Sequence, residues 1–164
     1  MPDCAPLQIM LGNHSQSTVW FDHAITQYLN VFRENPDEPI VSLLLATAYL
    51  SKAYVRTQKN PRKSVLASYA SIRKYAEVRK DDFPAEAEYN MGRFYQSLRM
   101  YPQAEKMYRN VLEAPVDYEC MAIDEDAHDL RYSLKRDAAY NLVVILRESN
   151  PIEARRIMRK YLTF

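Results

Sequence analysis

Glycine is almost missing from this chain, with two in 164 residues. All-β folds need glycine at many tight turns, where positive φ angles are required. The scarcity therefore argues against them and for helices. Cysteine is equally sparse: Cys4 and Cys120 are too few for a disulfide framework and read as reduced thiols of an intracellular protein. No apolar run approaches the ~20 residues of a membrane span. The opening MPDCAPLQ lacks the basic and apolar regions of a secretory signal. Excess charge is lacking too. A net charge of +1 makes the chain as a whole neither a polyanion binder nor an acidic tail protein. These absences predict a soluble nuclear or cytosolic protein with no membrane contact.

Apolar residues make up 48% of the chain, enough for a continuous core, and tyrosine is abundant, 13 against a single tryptophan. Tyrosine combines a large ring with a polar tip and suits packing between helices near a surface. Residues 85–115 read AEAEYNMGRFYQSLRMYPQAEKMYRNVLEAP. Small and large residues alternate there in a fixed order: Met91-Gly92, Tyr95, Tyr101, Ala104, Tyr108, Val111-Leu112, Pro115. That order is the tetratricopeptide pattern. Gly92 on a first helix and Ala104 on a second let two antiparallel helices approach closely, and Tyr95 and Tyr108 fill the space beside the contact. Such a hairpin cannot bury its apolar face alone, so neighbouring hairpins must stack on it.

The pattern recurs upstream at an offset of 80 residues: Gly12 to Gly92, Ala24 to Ala104, Tyr28 to Tyr108, Val31 to Val111. Two repeats of 34 make 68, which leaves about 12 residues to an intervening, longer hairpin. Its first helix carries Ala46 and Tyr49 and is expected to run on through Val55. Asn60-Pro61 breaks it, and the second helix carries Ser68 in the small-residue slot, Ile72 and Tyr75. A last hairpin opens at Tyr140-Asn141-Leu142, with Val143 in the glycine place and Ala154, Met158 and Tyr161-Leu162 on the second helix. The predicted fold is all-α, a single tetratricopeptide-type α-solenoid over 1–164. Its hairpins are expected at about 6–35, 39–80, 84–114 and 132–163, with an acidic insertion loop at 115–131. The packing positions are Gly12, Ala24, Tyr28, Ala46, Tyr49, Gly92, Tyr95, Ala104, Tyr108 and Ala154. The first hairpin is expected to present an exposed apolar edge, since terminal repeats need polar caps.

Three passages reach beyond the generic repeat: AITQYLNVFRENPDEPIVSLLLATAYLSKA (24–53), ASYASIRKYAEVR (67–79), and the acidic loop followed by LRYSLKRDAAYNL (130–142). With them the chain resembles the C-terminal end of the tetratricopeptide subunit of TFIIIC, a general transcription factor of RNA polymerase III. Members of that family are longer, with a further repeat array upstream. The resemblance implies a nuclear protein–protein interaction scaffold in assembly of the RNA polymerase III pre-initiation complex. In the family the subunit helps TFIIIC recruit TFIIIB, and the upstream array is the part tied to TFIIIB contact. The implied partners here are other TFIIIC subunits and TFIIIB components, with DNA contact only through the complex.

Chemistry-bearing constellations are scarce. His14, His23 and His128 have no Cys or His partner at zinc-ligand spacing, and neither a phosphate loop nor a nucleophile elbow occurs. Asp22-His23 and Glu86/Glu88 read as solvated helix faces rather than acid–base pairs. An acidic neighbourhood disfavours the Cys120 thiolate. No catalytic, metal, cofactor or small-molecule site is expected, and the chain is not expected to be an enzyme. A second reading stays open. Lys52 to Lys80 holds nine basic residues and one acid, Glu77, a local charge of +8, so a basic surface could bind RNA or DNA directly. Tyr69 and Tyr75 within it are assigned to packing slots, which weakens a base-stacking role.

In stacked hairpins the first helices line the inner face. One turn from the packing positions lie Leu43, Thr47 and Leu50 in the second hairpin. Tyr89, Arg93 and Gln96 hold these places in the third, and Tyr140, Val144 and Arg147 in the fourth. Tyr, Arg and aliphatic side chains are the types that carry protein interfaces. A chaperone-tail clamp would require Lys and Asn there, and Tyr89 and Arg93 stand in those places instead.

Overall fold

A computed structural model describes residues 4–115 and 134–162. These form eight α-helices: α1 (Ala5–Ser17), α2 (Phe21–Glu34), α3 (Pro39–Ala53), α4 (Pro61–Arg79), α5 (Pro84–Ser97), α6 (Tyr101–Glu113), α7 (Leu134–Ser149) and α8 (Pro151–Tyr161). No strand occurs among the described residues. Proline does the punctuation that glycine does elsewhere. Pro6, Pro39, Pro61, Pro84, Pro102 and Pro151 each sit in a first helical turn, where a missing N–H and a fixed φ cost nothing. Two of these starts are also capped by asparagine: Asn60 Oδ1 accepts from the Lys63 N–H and Asn150 Oδ1 from the Glu153 N–H, both at 3.2 Å. The acidic segment 116–131, with Cys120 and His128, lies outside the described residues.

The chain divides into two compact units, the first ending at Val78 and the second beginning at Arg79. In the first, Ala24, Ile25, Tyr28 and Val31 of α2 pack with Val41, Leu45 and Ala48 of α3, and Ala5 and Ile9 of α1 close over them. In the second, Ala104, Tyr108 and Val111 of α6 pack with Ala138, Ala139, Leu142, Val143 and Leu146 of α7 and with Ala154 and Ile157 of α8.

Each unit contains one glycine, and each glycine faces a tyrosine of the second helix. A Cβ placed on Gly92 would lie 2.7 Å from Cε1 of Tyr108, and one on Gly12 would come closer still to the Tyr28 ring. The small residue thus makes room for a ring as well as for a helix backbone. Tyr28 and Tyr108 are wholly buried there. Their hydroxyls stay satisfied: Tyr108 donates to Gln96 Oε1 at 2.6 Å, and Tyr28 to Asn13 Oδ1 at 2.7 Å, with Gln16 Oε1 at 3.2 Å. Gln16 and Gln96 each stand four residues after the glycine, one turn along the same helix face.

The other two hairpins solve the same packing differently. In the second, Ala46 replaces glycine and Ile72 replaces the ring. Buried Ser68 donates its hydroxyl to the Ala46 carbonyl at 2.6 Å. In the fourth, Val143 stands at the glycine position and is buried in the core. Met158, which sequence spacing puts in the ring's place, is 46% exposed, and Ile157 is buried instead. Two further expectations are corrected. α3 ends at Ala53, so Val55 lies in the connection and the extra length falls partly in α4, with 19 residues. Tyr69 is on the exposed side of α4 rather than in a packing slot, unlike buried Tyr75.

The turns of the first and third hairpins match atom for atom. The Trp20 N–H reaches back to the Ser15 carbonyl and Met100 to Tyr95, at 2.8 and 2.9 Å. Val19 and Arg99 sit between at φ 68° and 59°. This is a Schellman stop made without the usual glycine. On α1, Leu7, Met10 and Leu11 are exposed and form the apolar edge expected of this hairpin.

Candidate functional site

In the second unit the first helices α5 and α7 lie side by side, joined by a hydrogen bond from Asn141 Nδ2 to Tyr89 Oη at 3.4 Å. The Tyr89 ring stands 6.0 Å from that of Tyr108, and the Arg93 guanidinium lies 5.9 Å from the centre of the Tyr89 ring. Burial raises the Tyr89 phenol above its ordinary range, and the Asp137 carboxylate adds to the rise. Tyr108 is raised much further, with burial again the chief cause. Both rings are therefore neutral hydrogen-bonding groups at physiological pH.

Of the inner-face residues named from sequence, Arg93, Tyr140, Val144 and Arg147 are exposed and Tyr89 is half-buried. Tyr140 leaves 61% of its surface open. Together they offer two guanidinium groups, two phenols and one valine on adjoining helices, the side-chain types that anchor protein interfaces. Gln96 behaves otherwise, because its carbonyl oxygen is occupied by Tyr108.

In the first unit α1 and α3 are joined by Gln16 Nε2 and Thr47 Oγ1 at 3.5 Å. A shallow open hollow lies there, lined by Asn13, Gln16, Ser17, Phe21, Leu44 and Ser51. Thr47 is exposed beside it, whereas Leu43 and Leu50 are half-buried and do not line it. The lining residues of α1 escaped the sequence reading. The recurrence of Gln16 at Gln96, in step with the two glycines, was the signal for them.

The packing residues distribute as follows. Gly12, Ala24, Tyr28, Ala46, Gly92, Ala104, Tyr108 and Ala154 are buried, and Tyr49 and Tyr95 are half-buried. Ser15 and His23 form a close pair, Oγ to Nδ1 at 2.7 Å. The Ser15 hydroxyl also donates to the Leu11 carbonyl at 2.8 Å. With its one proton directed there, Ser15 accepts from the imidazole, so the pair ties α1 to α2 and does not activate a nucleophile. Asp22 turns away from His23 to pair with Lys52. Glu86 pairs with Arg79 at 2.7 Å. Among the described residues no group of His, Cys, Asp or Glu is arranged to hold a metal ion, and no helix is long and apolar enough to cross a membrane.

The basic stretch is less free than its sequence suggests. Lys52 is paired with Asp22, Lys74 with Asp37 at 2.7 Å, and Arg79 with Glu86. Arg56, Lys59, Arg62 and Lys63 remain exposed, along the α3–α4 connection and the first turn of α4.

Paired antiparallel helices, each pair stacked on the next within a unit, and small residues at the crossings define a tetratricopeptide-type α-solenoid, a class of scaffold. No protein-family profile matches the chain, but curated relatives do. It is 32% identical over 97% of its length to Transcription factor tau subunit sfc4 of Schizosaccharomyces pombe. It is 28% identical over 90% of its length to General transcription factor 3C polypeptide 3 of Homo sapiens. Transcription factor tau 131 kDa subunit of Saccharomyces cerevisiae is 29% identical over 84% of it. All three are TFIIIC subunits, and the chain belongs to their family. It spans only 13 to 16% of the length of these relatives.

Proposed function

We propose that this chain is a protein–protein interaction scaffold of TFIIIC, acting in the nucleus in assembly of the RNA polymerase III pre-initiation complex. The observation that carries the reading is the similarity of nearly the whole chain to one TFIIIC subunit. On this reading the exposed side chains of neighbouring first helices, Arg93, Tyr140, Val144 and Arg147, hold another TFIIIC subunit. TFIIIB components are reached within the same assembly, and DNA is contacted through other subunits. The test is co-expression with the remaining TFIIIC subunits, followed by affinity purification and mass spectrometry. Recovery of those subunits supports the reading; recovery of chaperones alone overturns it.

The direct nucleic-acid reading rests on Arg56, Lys59, Arg62 and Lys63. It requires an affinity for duplex or single-stranded probes that falls steeply with salt, because cation–phosphate contacts release counterions. A flat salt dependence excludes it.

A further inference from the structure

Helix α8 carries an exposed cationic stripe, in which Arg156 pairs with Glu153 and Lys160 lies over the Tyr161 ring. Ile152, Arg155, Arg156, Arg159 and Lys160 follow one another at intervals of three, four, seven and eight residues from the first, so they share one helix face. The opposite face is the buried one, with Ala154 and Ile157. All five side chains are exposed and together line one shallow open hollow. Ile152, at 81%, is the most exposed large apolar residue among those described. We propose that this face is a docking site for an acidic polypeptide segment that also carries bulky apolar side chains.

The charge is one-sided. α8 holds four cations and a single acid, Glu153. That carboxylate is shared, 3.7 Å from Arg156 and 3.6 Å from Arg109. Cations in a last helical turn complement the helix dipole, which accounts for Arg159 and Lys160 but not for Arg155 and Arg156 further back. A face whose task is only solubility mixes signs. Three of the four cations are arginines, whose planar forks pair with carboxylates two bonds at a time.

Ile152 decides between classes of polyanion. A phosphate backbone gains nothing from an exposed isoleucine, and the one ring beside the stripe, Tyr161 under Lys160, is packed against the core rather than held open for a base. A polypeptide with Asp or Glu flanking Leu, Ile or Phe uses both features at once. The site is on a second helix, so it stands or falls separately from the α5/α7 surface.

The experiment uses the full chain and fluorescence anisotropy. The probe is a short labelled peptide rich in Asp and Glu with leucines at i and i+4; the same peptide with serine for leucine and a labelled DNA duplex are the comparisons. The triple variant R155Q/R156Q/R159Q is expected to bind the leucine peptide at least about tenfold more weakly. Ile152→Ser and the serine peptide should each lose about fivefold. The substituted residues are exposed, so melting temperature should hold and report an intact fold. Equal affinity of parent and triple variant overturns the proposal, as does the absence of binding at about millimolar peptide. Indifference to Ile152→Ser makes the face a non-selective polyanion patch and overturns it too. Tighter binding of the duplex than of the peptide through the same arginines does the same, in favour of nucleic acid.

Discussion

Gly92 and Tyr108 claim the same volume: a Cβ on the glycine would sit 2.7 Å from the ring carbon Cε1, well inside van der Waals contact. The ring is fully buried and its hydroxyl is fixed by Gln96, so it has nowhere to retreat. Gly92→Ala should therefore cost about 2 kcal/mol, within the usual range for overpacking and despite the better helix propensity of alanine. The second hairpin supplies the remedy, since Ala46 there coexists with Ile72. Adding Tyr108→Ile to Gly92→Ala should recover about 1 kcal/mol relative to the sum of the single changes. Urea denaturation of the four proteins measures the coupling; strict additivity would show that the two positions do not meet.

Val19 is a β-branched residue at φ 68° and Arg99 its counterpart at 59°. L-residues lose about 1 kcal/mol or more in this left-handed region, and glycine does not. Val19→Gly should stabilise the protein by about 1 kcal/mol and raise Tm by a few degrees, and Arg99→Gly by a similar amount. Calorimetry decides. A lower Tm would mean that contacts of the two side chains outweigh the backbone strain.

Burial raises the phenols of Tyr28, Tyr89 and Tyr108 above their ordinary value near 10.0. Above that pH the unfolded chain releases tyrosine protons that the folded chain keeps. The unfolded state then binds fewer protons, so stability falls as pH rises beyond about 10 and is unaffected by these groups below it. Tyr108→Phe loses the bond to Gln96, at about 1 kcal/mol near neutral pH. It should also flatten the alkaline loss. Denaturation midpoints of parent and variant from about pH 8 to pH 11 should therefore converge; parallel curves would show that Tyr108 ionises alike in both states.

The repeat register was readable because glycine is so rare: Gly12 and Gly92, 80 residues apart, marked both hairpins that accommodate a tyrosine ring. Gln16 and Gln96 were not readable as its partners. A polar residue one turn from a glycine looks like surface until the tyrosine hydroxyl is seen to reach it. The left-handed turns at Val19 and Arg99 were hidden for the opposite reason, as neither residue type signals positive φ. In the last hairpin the spacing pointed to Met158, but a hairpin with Val143 at the glycine position buries Ile157 and leaves Met158 exposed. The charge of Lys52 to Lys80 misled by being counted locally. Asp22, Asp37 and Glu86, which pair with it, come from other segments of the chain. The stripe on α8 has fewer cations than Lys52 to Lys80, but its spacing along the helix sets them on one side.

The exposed first-helix residues of the second unit, the binding surface proposed above, allow binding and folding to be separated. Arg93, Tyr140 and Arg147 are exposed, so replacing them removes little that the fold uses. The triple variant Arg93→Glu, Tyr140→Ala, Arg147→Glu should melt within about two degrees of the parent. It should lose at least about tenfold in recovery of TFIIIC subunits, because reversed charges now oppose the partner and an aromatic anchor is gone. Gln96→Ala should do the reverse. It leaves the Tyr108 hydroxyl without its 2.6 Å acceptor, at about 1–3 kcal/mol for a buried group left unpaired. Any protein that remains folded should still hold its partners. Measuring melting and co-purification on both variants distinguishes a surface that recognises from one that only packs. If the triple variant recovers partners as well as the parent does, the binding surface lies elsewhere on the chain.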